Sequence, residues 1–456
     1  MKNIKDCIPY GSTLYPYQEE TVLRTLKFFA TTESGACYVA NDPGLGKSVT
    51  SCVTVNMLGA SKVLIVVPAV MKLVWEQEIY SWCRLTCTSV PRVCVLDSAS
   101  DVIGVAAAQF VIVSYSLVIN PEVLKVLVQQ DYDLLICDEA HAIKSKKSKR
   151  SRAVIKDLWP KCKHKILLSG TPMTRNVVDC WVPFHNILPS KFPSFDDFAA
   201  RYSYMRVTKW AVDYYGLKNA EELSKIIRDN FFIRYKKEDV LPQLPSKQWQ
   251  RITLPPSYSV KVQARDAEKI RKEQQYVLDA VTSDKQIVIP ASMAEHRRLQ
   301  GEAKVPAVVE FVRDLLEQEI PVVVFGYHKS VLGAIKEQLA EFEPVVITGE
   351  TSNEERMEAI TSFQTGATSL FIGNIIAAGS GITLTRSSTV VFAELDWVPA
   401  TIAQASDRVH RIGQKSQVTI HYFVVANSID STIEELIINR ARDFKKLLDE
   451  PTKENM

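Results

Sequence analysis

Two stretches of this chain repeat one rhythm, a short run of β-branched and apolar residues followed by a longer segment with helical spacing. The first set of strand candidates covers 36–40, 63–67, 110–114, 133–137 and 165–168; the second covers 322–325, 344–347, 370–373, 390–393 and 418–425. Near-continuous apolar strands separated by helices are the mark of parallel sheets buried on both faces. The expected fold class is therefore α/β, with two parallel-sheet lobes in tandem and helical insertions between them. The middle, about 184 to 298, carries Lys, Glu, Gln and aromatic residues at helical spacing, with prolines at Pro242, Pro245, Pro255 and Pro256. It reads as helical insertions and a linker. The expected division is a first lobe over 1–240, with its helical insertion from about 184, and a linker and helical protrusion over 241–300. A second lobe over 301–428 and an amphipathic helix over 429–456 complete it.

Composition narrows the function classes. With 55 Lys and Arg against 52 Asp and Glu, the formal charge is +3. Nucleic-acid binding must then rest on local patches rather than bulk charge. The nine cysteines are odd in number and form no C-x-x-C pair, and many sit in apolar runs. Buried reduced thiols are expected, with neither a zinc site nor a disulfide frame. No apolar run approaches the length that spans a bilayer, and the first residues lack the apolar core of a secretory signal. A soluble chain made and kept inside a cell, with no membrane partner, is the expectation.

The first strand candidate runs into Asn41-Asp42-Pro43-Gly44-Leu45-Gly46-Lys47-Ser48, and a helical segment follows. Gly44 and Gly46 let backbone N–H groups of the Asp42–Gly46 loop close on phosphate oxygens. Lys47 supplies a cation to the β- and γ-phosphates, and the Ser48 hydroxyl can ligate Mg²⁺. The first glycine usual in this pattern is replaced by Asn41. Taken alone, the run also suits a glycine-rich turn with a solvated lysine. Its acidic partner decides the matter: Asp138-Glu139-Ala140-His141 follows the strand candidate at 133–137. A carboxylate there lies at the sheet edge where α/β proteins bind ligands. Asp138 is placed to hold Mg²⁺ and Glu139 to polarise an attacking water. The pattern is that of a nucleoside-triphosphate hydrolase.

Asp138-Glu139-Ala140-His141 with Ser169-Gly170-Thr171-Pro172 resembles the helicase-like ATPases of superfamily two. The run Gln404-Ala405-Ser406-Asp407-Arg408-Val409-His410-Arg411-Ile412-Gly413-Gln414 is similar to the signature of the Swi/Snf family of double-stranded-DNA translocases. Further likenesses are Leu14-Tyr15-Pro16-Tyr17-Gln18, Val67-Pro68 with Trp75 and Glu78, Thr348-Gly349-Glu350-Thr351-Ser352, and Ala377–Leu384. Within that family, Val391–Trp397, Ile420-His421-Tyr422, Glu302–Pro306 and Phe192–Phe195 ahead of Arg201-Tyr202 resemble the annealing-helicase, fork-remodelling branch. The resemblance implies two RecA-like lobes, ATP and Mg²⁺ as cofactors, and double-stranded or branched DNA as partner, with proteins bound to that DNA as further partners. A monomer suffices for such a motor. The chain resembles a motor core without added targeting modules, of the kind bacteria and their viruses encode, so the cytoplasm of a bacterial or virus-infected cell is expected rather than a nucleus.

The resemblance also assigns roles. Arg408 and Arg411 become arginine fingers, with Arg411 the stronger candidate and Gln404 one turn earlier. Three apart, the two arginines would share a helical face; an exposed basic helix is the plainer alternative. Tyr15 and Gln18 would read adenine, with Tyr17 as an alternative ring. His141, Ser169, Thr171 and His410 would couple the nucleotide and DNA sites. The segment 144–152 holds six basic residues and no acid, so Lys144, Lys146, Lys147, Lys149 and Arg150 are candidates for phosphate contact. Other expected backbone contacts are Lys72, Ser114, His328, Lys329, Thr348, Gly349, Gly379, Gly381 and Thr383. Trp397 would brace or touch DNA, or lie in the core. Contacts to phosphate and sugar imply tracking without sequence preference.

Three functions compete: an ATP-driven duplex-DNA translocase that remodels branched or protein-bound DNA, a strand-separating DNA or RNA helicase, and a non-hydrolysing DNA-binding recruitment module. The Arg-Ile-Gly-Gln continuation speaks against the second, and intact Lys47, Asp138, Glu139, Arg408 and Arg411 speak against the third. The first is the reading adopted.

Overall fold

The computed structural model describes residues 3–83, 90–173, 176–207, 212–259, 268, 272, 291–378, 382–426 and 428–448. The chain divides into two compact units, one of Met1–Tyr204 with Leu217–Val240, the other of Met205–Gly216 with Leu241–Lys445.

The first unit is built on β1 (Ala36–Val39), β2 (Val63–Val67), β3 (Val93–Leu96), β4 (Phe110–Ser114), β5 (Tyr132–Cys137) and β6 (Cys162–Leu168). After the pair β7 (Tyr204–Val207) and β8 (Val212–Tyr215), the chain returns with β9 (Phe232–Ile233). The sheet order is β3-β4-β2-β5-β6-β1-β9 and every pairing is parallel. All residues of β1, β2 and β4 are buried, as a sheet covered by helices on both faces requires. Helices α1 (Pro16–Thr31), α2 (Lys47–Leu58) and α3 (Lys72–Trp82) contribute Phe28, Cys52, Val55, Trp75 and Ile79 to a core with Val39, Ile65, Ile112 and Ile136.

Register brings the functional loops together. Val39 pairs with Leu168 and Cys137 with Leu167, so β5, β6 and β1 end side by side. The loops that follow them, beginning at Asp138, Ser169 and Ala40, therefore share one sheet edge.

The second unit holds β10 (Lys247–Leu254), β11 (Val322–Gly326), β12 (Val345–Ile347), β13 (Leu370–Asn374), β14 (Thr389–Phe392) and β15 (Val418–Val425). Its order is β10-β15-β14-β11-β13-β12, again parallel throughout. Apolar clusters around Phe325, Phe371 and Phe392 and around Val324, Val308 and Ile372 cover its faces. The expected class of two parallel-sheet lobes holds.

The middle third departs from expectation. It contains the helices Phe195–Tyr202 and Ala220–Asn230, but also β9, which joins the first sheet, and β10, which joins the second. Most of β10 is exposed; Lys-Gln-Trp-Gln-Arg along an edge strand carries the polarity of a helix surface, which hid it in the sequence. The half-buried edge strand β3 is apolar, Val93-Cys94-Val95-Leu96, but spans only four residues and was not among the strand candidates. The helix Ala291–Glu317 runs across the expected boundary at 301, with Pro306 inside it. No described helix is long and apolar enough to cross a membrane.

Candidate nucleotide site

The loop between β1 and α2 turns on two left-handed glycines, Gly44 at φ 87° and Gly46 at φ 75°. A Cβ on Gly46 would stand 2.5 Å from Gln18 Nε2, so only glycine admits both the turn and the neighbour. Gly170 packs equally closely, a Cβ there falling 2.9 Å from Pro43 Cγ. The loop leads straight into the N-terminus of α2, where free backbone N–H groups and the helix dipole favour an anion. Lys47 folds back over the loop, its Nζ donating to Asn41 O at 2.8 Å and to Asp42 O at 3.3 Å.

Asp138 is buried, with Oδ2 accepting from Trp75 Nε1 at 2.9 Å and Oδ1 from Glu139 N at 2.9 Å. Burial above all, then the Glu139 charge, pushes its carboxyl up to about 6, against the pull of the indole and of Lys47. Tyr115 Oη holds the Asp138 carbonyl at 2.8 Å. Glu139 sits at φ 48°, in the left-handed region a side chain rarely adopts. Its Oε2 lies 3.2 Å from His141 Nδ1 and 3.5 Å from Ser169 Oγ. Ser169 Oγ is 3.1 Å from His141 Nδ1 and accepts from Thr171 N at 3.1 Å. The fold thus gathers Glu139, His141, Ser169 and Thr171 into one cluster, and Thr171 Oγ1 is buried there with no hydrogen-bond partner among the described residues.

The residues present fit a divalent cation of limited protein coordination. A buried carboxylate beside a second acid is poorly compensated by one indole and one amide, and a cation would relieve it. No cluster of three or more His, Cys, Asp or Glu able to hold a metal occurs among the described residues. A Mg²⁺ held by Asp138 and Ser48 while keeping waters and phosphate oxygens suits such a site.

Gln18 is buried and already engaged: Nε2 donates to Leu45 O at 3.3 Å, and Oε1 accepts from Tyr15 N at 3.0 Å. One amide hydrogen and one lone pair remain for a base edge. Tyr15 is 37% exposed and stacks on buried Tyr17 with centroids 5.7 Å apart, leaving Tyr15 as the ring with a free face.

In the second unit, the helix Pro399–Ser406 carries Gln404 and stops before Asp407. Arg408 and Arg411 therefore stand on the turns after it and not on a shared helical face, because the backbone tightens through Arg408 N to Ala405 O at 3.1 Å and Gln414 N to Arg411 O at 2.9 Å. Arg408 is buried. Arg411 is partly exposed, with Nη1 on Thr383 Oγ1 at 3.3 Å and Nε on Asp407 O at 3.2 Å. His410 is buried, and its Nε2 donates to Pro245 O at 2.6 Å.

Several expected DNA contacts are occupied elsewhere. Lys72 is buried, its ammonium held by Asp97 and by Leu96 O at 3.0 Å. Ser114 is buried and accepts from Leu117 N at 3.2 Å, capping a turn. Lys144 is paired at 3.0 Å with the buried carboxylate of Asp179, which cannot stand uncompensated. Trp397 lies in the core, 5.5 Å from the Arg297 guanidinium. In contrast Lys146, Lys147, Lys149 and Arg150 are exposed, Lys146 above the Trp181 ring at 5.5 Å. In the second unit His328 is bound through Nδ1 to Glu394 Oε1 at 2.6 Å, and Lys329 pairs with Glu350. Thr348 is partly exposed, with its N–H bonded to Thr351 Oγ1 at 2.9 Å, and Gly349 is exposed. Gly379 and Gly381 lie outside the described residues.

A strand-loop-helix phosphate loop beside buried Asp138 and half-buried Glu139, on the first of two parallel-sheet units, defines a helicase-like ATPase. The SNF2-related domain profile matches residues 17–296, and the helicase conserved C-terminal domain profile matches 304–413. The chain belongs to the SNF2-related family. It is 32% identical over 433 residues to a Xenopus tropicalis SWI/SNF-related matrix-associated actin-dependent regulator of chromatin subfamily A-like protein 1, covering 94% of this chain and 44% of that protein. Against the human DNA annealing helicase and endonuclease ZRANB3 it is 30% identical over 455 residues, covering 96% of this chain and 41% of the other. The chain thus spans less than half the length of these two relatives. Among solved structures, a Sulfolobus solfataricus SWI2/SNF2 ATPase core in complex with dsDNA aligns with a TM-score of 0.45 and 20% identity, over 97% of this chain and 98% of that one.

The expected location in a bacterial or virus-infected cell's cytoplasm is overturned. The relatives above are animal proteins, one of them named as a regulator of chromatin, and chromatin lies in the nucleus. Motor residues answer to nucleotide and polymer chemistry alone, so they carried no sign of the compartment.

Proposed function

We propose that this chain is an ATP-driven translocase on double-stranded DNA that remodels branched or protein-bound DNA. The observation that carries the reading is the meeting of Lys47, Asp138 and Glu139 at one sheet edge, in a chain of the SNF2-related family. Lys47 exchanges its two loop carbonyls for phosphate oxygens. Glu139 orients the attacking water, held by the His141 and Ser169 cluster. Mg²⁺, bound by Asp138 and Ser48, would neutralise charge on the triphosphate. Arg411, the more exposed of the two arginines, supplies a guanidinium to the transferring phosphoryl group, with Arg408 and Gln404 behind it. Gln18 and Tyr15 receive the adenine.

On the DNA side, the exposed run Lys146, Lys147, Lys149 and Arg150 binds backbone phosphates. Thr348, Gly349 and Thr383 offer short hydroxyls and amides of the kind that grip phosphate without reading bases. The name of one relative, a DNA annealing helicase and endonuclease, supports the fork-remodelling branch.

The test is ATP hydrolysis by the full chain with duplex, single-stranded and forked DNA and with RNA, alongside unwinding of a forked duplex. Stimulation by duplex or forked DNA without strand separation is expected. Preferential stimulation by RNA or efficient unwinding would establish the helicase alternative. Turnover at background with saturating duplex would leave a binding module.

A further inference from the structure

The phosphate loop is gripped from its outer side by a segment that no nucleotide motif includes. From the end of β9, residues 233–237 continue the parallel course of that strand beside β1; they lie along the chain from Ala40 to Asp42 and bond to each residue of it. Ala40 N donates to Ile233 O at 2.7 Å and Asp42 N to Tyr235 O at 3.0 Å. Tyr235 N donates to Asn41 Oδ1 at 3.0 Å, and Lys237 N to Asp42 Oδ2 at 3.1 Å. The Arg234 guanidinium, whose side chain is 9% exposed, bridges Ala40 O at 2.9 Å and Asp42 Oδ1 at 3.2 Å. Asn41 completes the grip, its Nδ2 donating to Thr21 Oγ1 on α1 at 3.2 Å.

This arrangement explains why asparagine stands where a glycine is usual. Asn41 has no positive φ, so the backbone does not call for glycine, and its fully buried amide ties the strap to α1 through the loop. Lys47 now holds Asn41 O and Asp42 O. When its ammonium turns to a phosphate, the Arg234 guanidinium on Asp42 and Ala40 stays with the loop, together with the backbone bonds of the strap.

We propose that Arg234 and Asn41 are positioning residues for the triphosphate, the strap keeping the phosphate loop in its binding shape once Lys47 has turned to the ligand. The inference rests on the nucleotide reading of the loop given above. Both act indirectly, by fixing the backbone that leads into the phosphate loop.

The experiment uses the full chain with Mg²⁺, measuring equilibrium binding of N-methylanthraniloyl-ATP and the steady-state kinetics of ATP hydrolysis on duplex DNA. Arg234→Ala should weaken binding and raise KM by about tenfold, the loss of a charge-assisted bidentate contact, while kcat at saturating ATP stays within about twofold. Arg234→Lys should recover only part, since one ammonium cannot reproduce the fork. Asn41→Gly, which restores the usual glycine, should weaken binding by about threefold rather than improve it. Unchanged affinity in both Arg234→Ala and Asn41→Gly overturns the proposal. So does a fall in kcat and thermal midpoint with KM unmoved, the mark of a purely structural role. Should Arg234→Ala fail to fold, Asn41→Gly and Asp42→Asn carry the same test. If the wild-type chain does not bind the analogue, the nucleotide reading itself fails, whatever the variants do.

Discussion

The indole N–H of Trp75 donates to Asp138 Oδ2 at 2.9 Å, and both side chains are buried. This bond ties α3 to the acid expected to hold Mg²⁺. Trp75→Phe keeps most of the ring in the core and removes the donor. A buried carboxylate that loses a hydrogen bond costs about 1–3 kcal/mol. Urea unfolding should show a loss in that range, and unchanged stability would mean water replaces the indole.

The pH dependence of the metal-free chain follows from the same acid. Its carboxyl is raised to about 6, while an unfolded Asp titrates near ~3.9. Between those values the native state keeps a proton that the unfolded state has lost. The contribution of Asp138 to stability therefore falls as pH rises through about 4 to 6, and is constant above. Asp138→Asn should flatten that part of the stability profile measured with EDTA present. An identical profile for the variant would place the titration elsewhere.

Glu139→Gln separates chemistry from folding. The left-handed backbone and the neighbours His141 and Ser169 persist, but the carboxylate proposed to polarise water is gone. Turnover should fall by on the order of 10²–10⁴ with ATP binding retained. Removing the charge beside buried Asp138 should also raise stability by about 1 kcal/mol. Loss of ATP binding in this variant would make the glutamate structural.

The placement of the candidate nucleotide residues was legible in the sequence because it is local. Gly44, Gly46, Lys47, Asp138 and Glu139 lie directly after apolar strands, and a strand end fixes where its next residue stands. Relationships between distant segments were not. Lys144 and Lys72 look like free cations until the fold delivers Asp179 and Asp97 to them. Trp75 looks like core until Asp138 meets its nitrogen. Nothing near Arg234 announces a phosphate loop 190-odd positions upstream, since β9 is only Phe232–Ile233 and shows no periodicity. The helical face expected for Arg408 and Arg411 failed for a local reason, the end of the helix at Ser406.

For the arginines, the turns set different burdens. Arg411 is partly exposed, with bonds to the Thr383 hydroxyl and the Asp407 carbonyl; Arg411→Ala should cost on the order of 10³ in kcat and move the thermal midpoint less than the same change at a buried arginine. Arg408 is buried, and Arg408→Ala should lower stability as well as rate. A mild rate effect at Arg411 with a severe one at Arg408 would transfer the finger role to Arg408.

The basic segment allows a sharper division. Lys144 pairs with Asp179, whose side chain is 5% exposed, so Lys144→Ala takes a charge-assisted bond from a buried carboxylate and should destabilise the first unit by about 1–3 kcal/mol. Because its charge is already spent on Asp179, the salt dependence of duplex binding should hardly change. Lys147 and Lys149 are exposed. Each alanine substitution there should reduce the slope of log K against log salt by about 0.9 if the residue displaces one counterion, with no change in thermal midpoint. Fluorescence anisotropy of a labelled duplex between 50 and 200 mM salt reads the slope, and scanning calorimetry reads the midpoint. If Lys144→Ala lowered the slope while Lys147→Ala and Lys149→Ala did not, the DNA path would have to follow the acid-facing side of this segment, and the Lys144–Asp179 pair would have to open for DNA to bind.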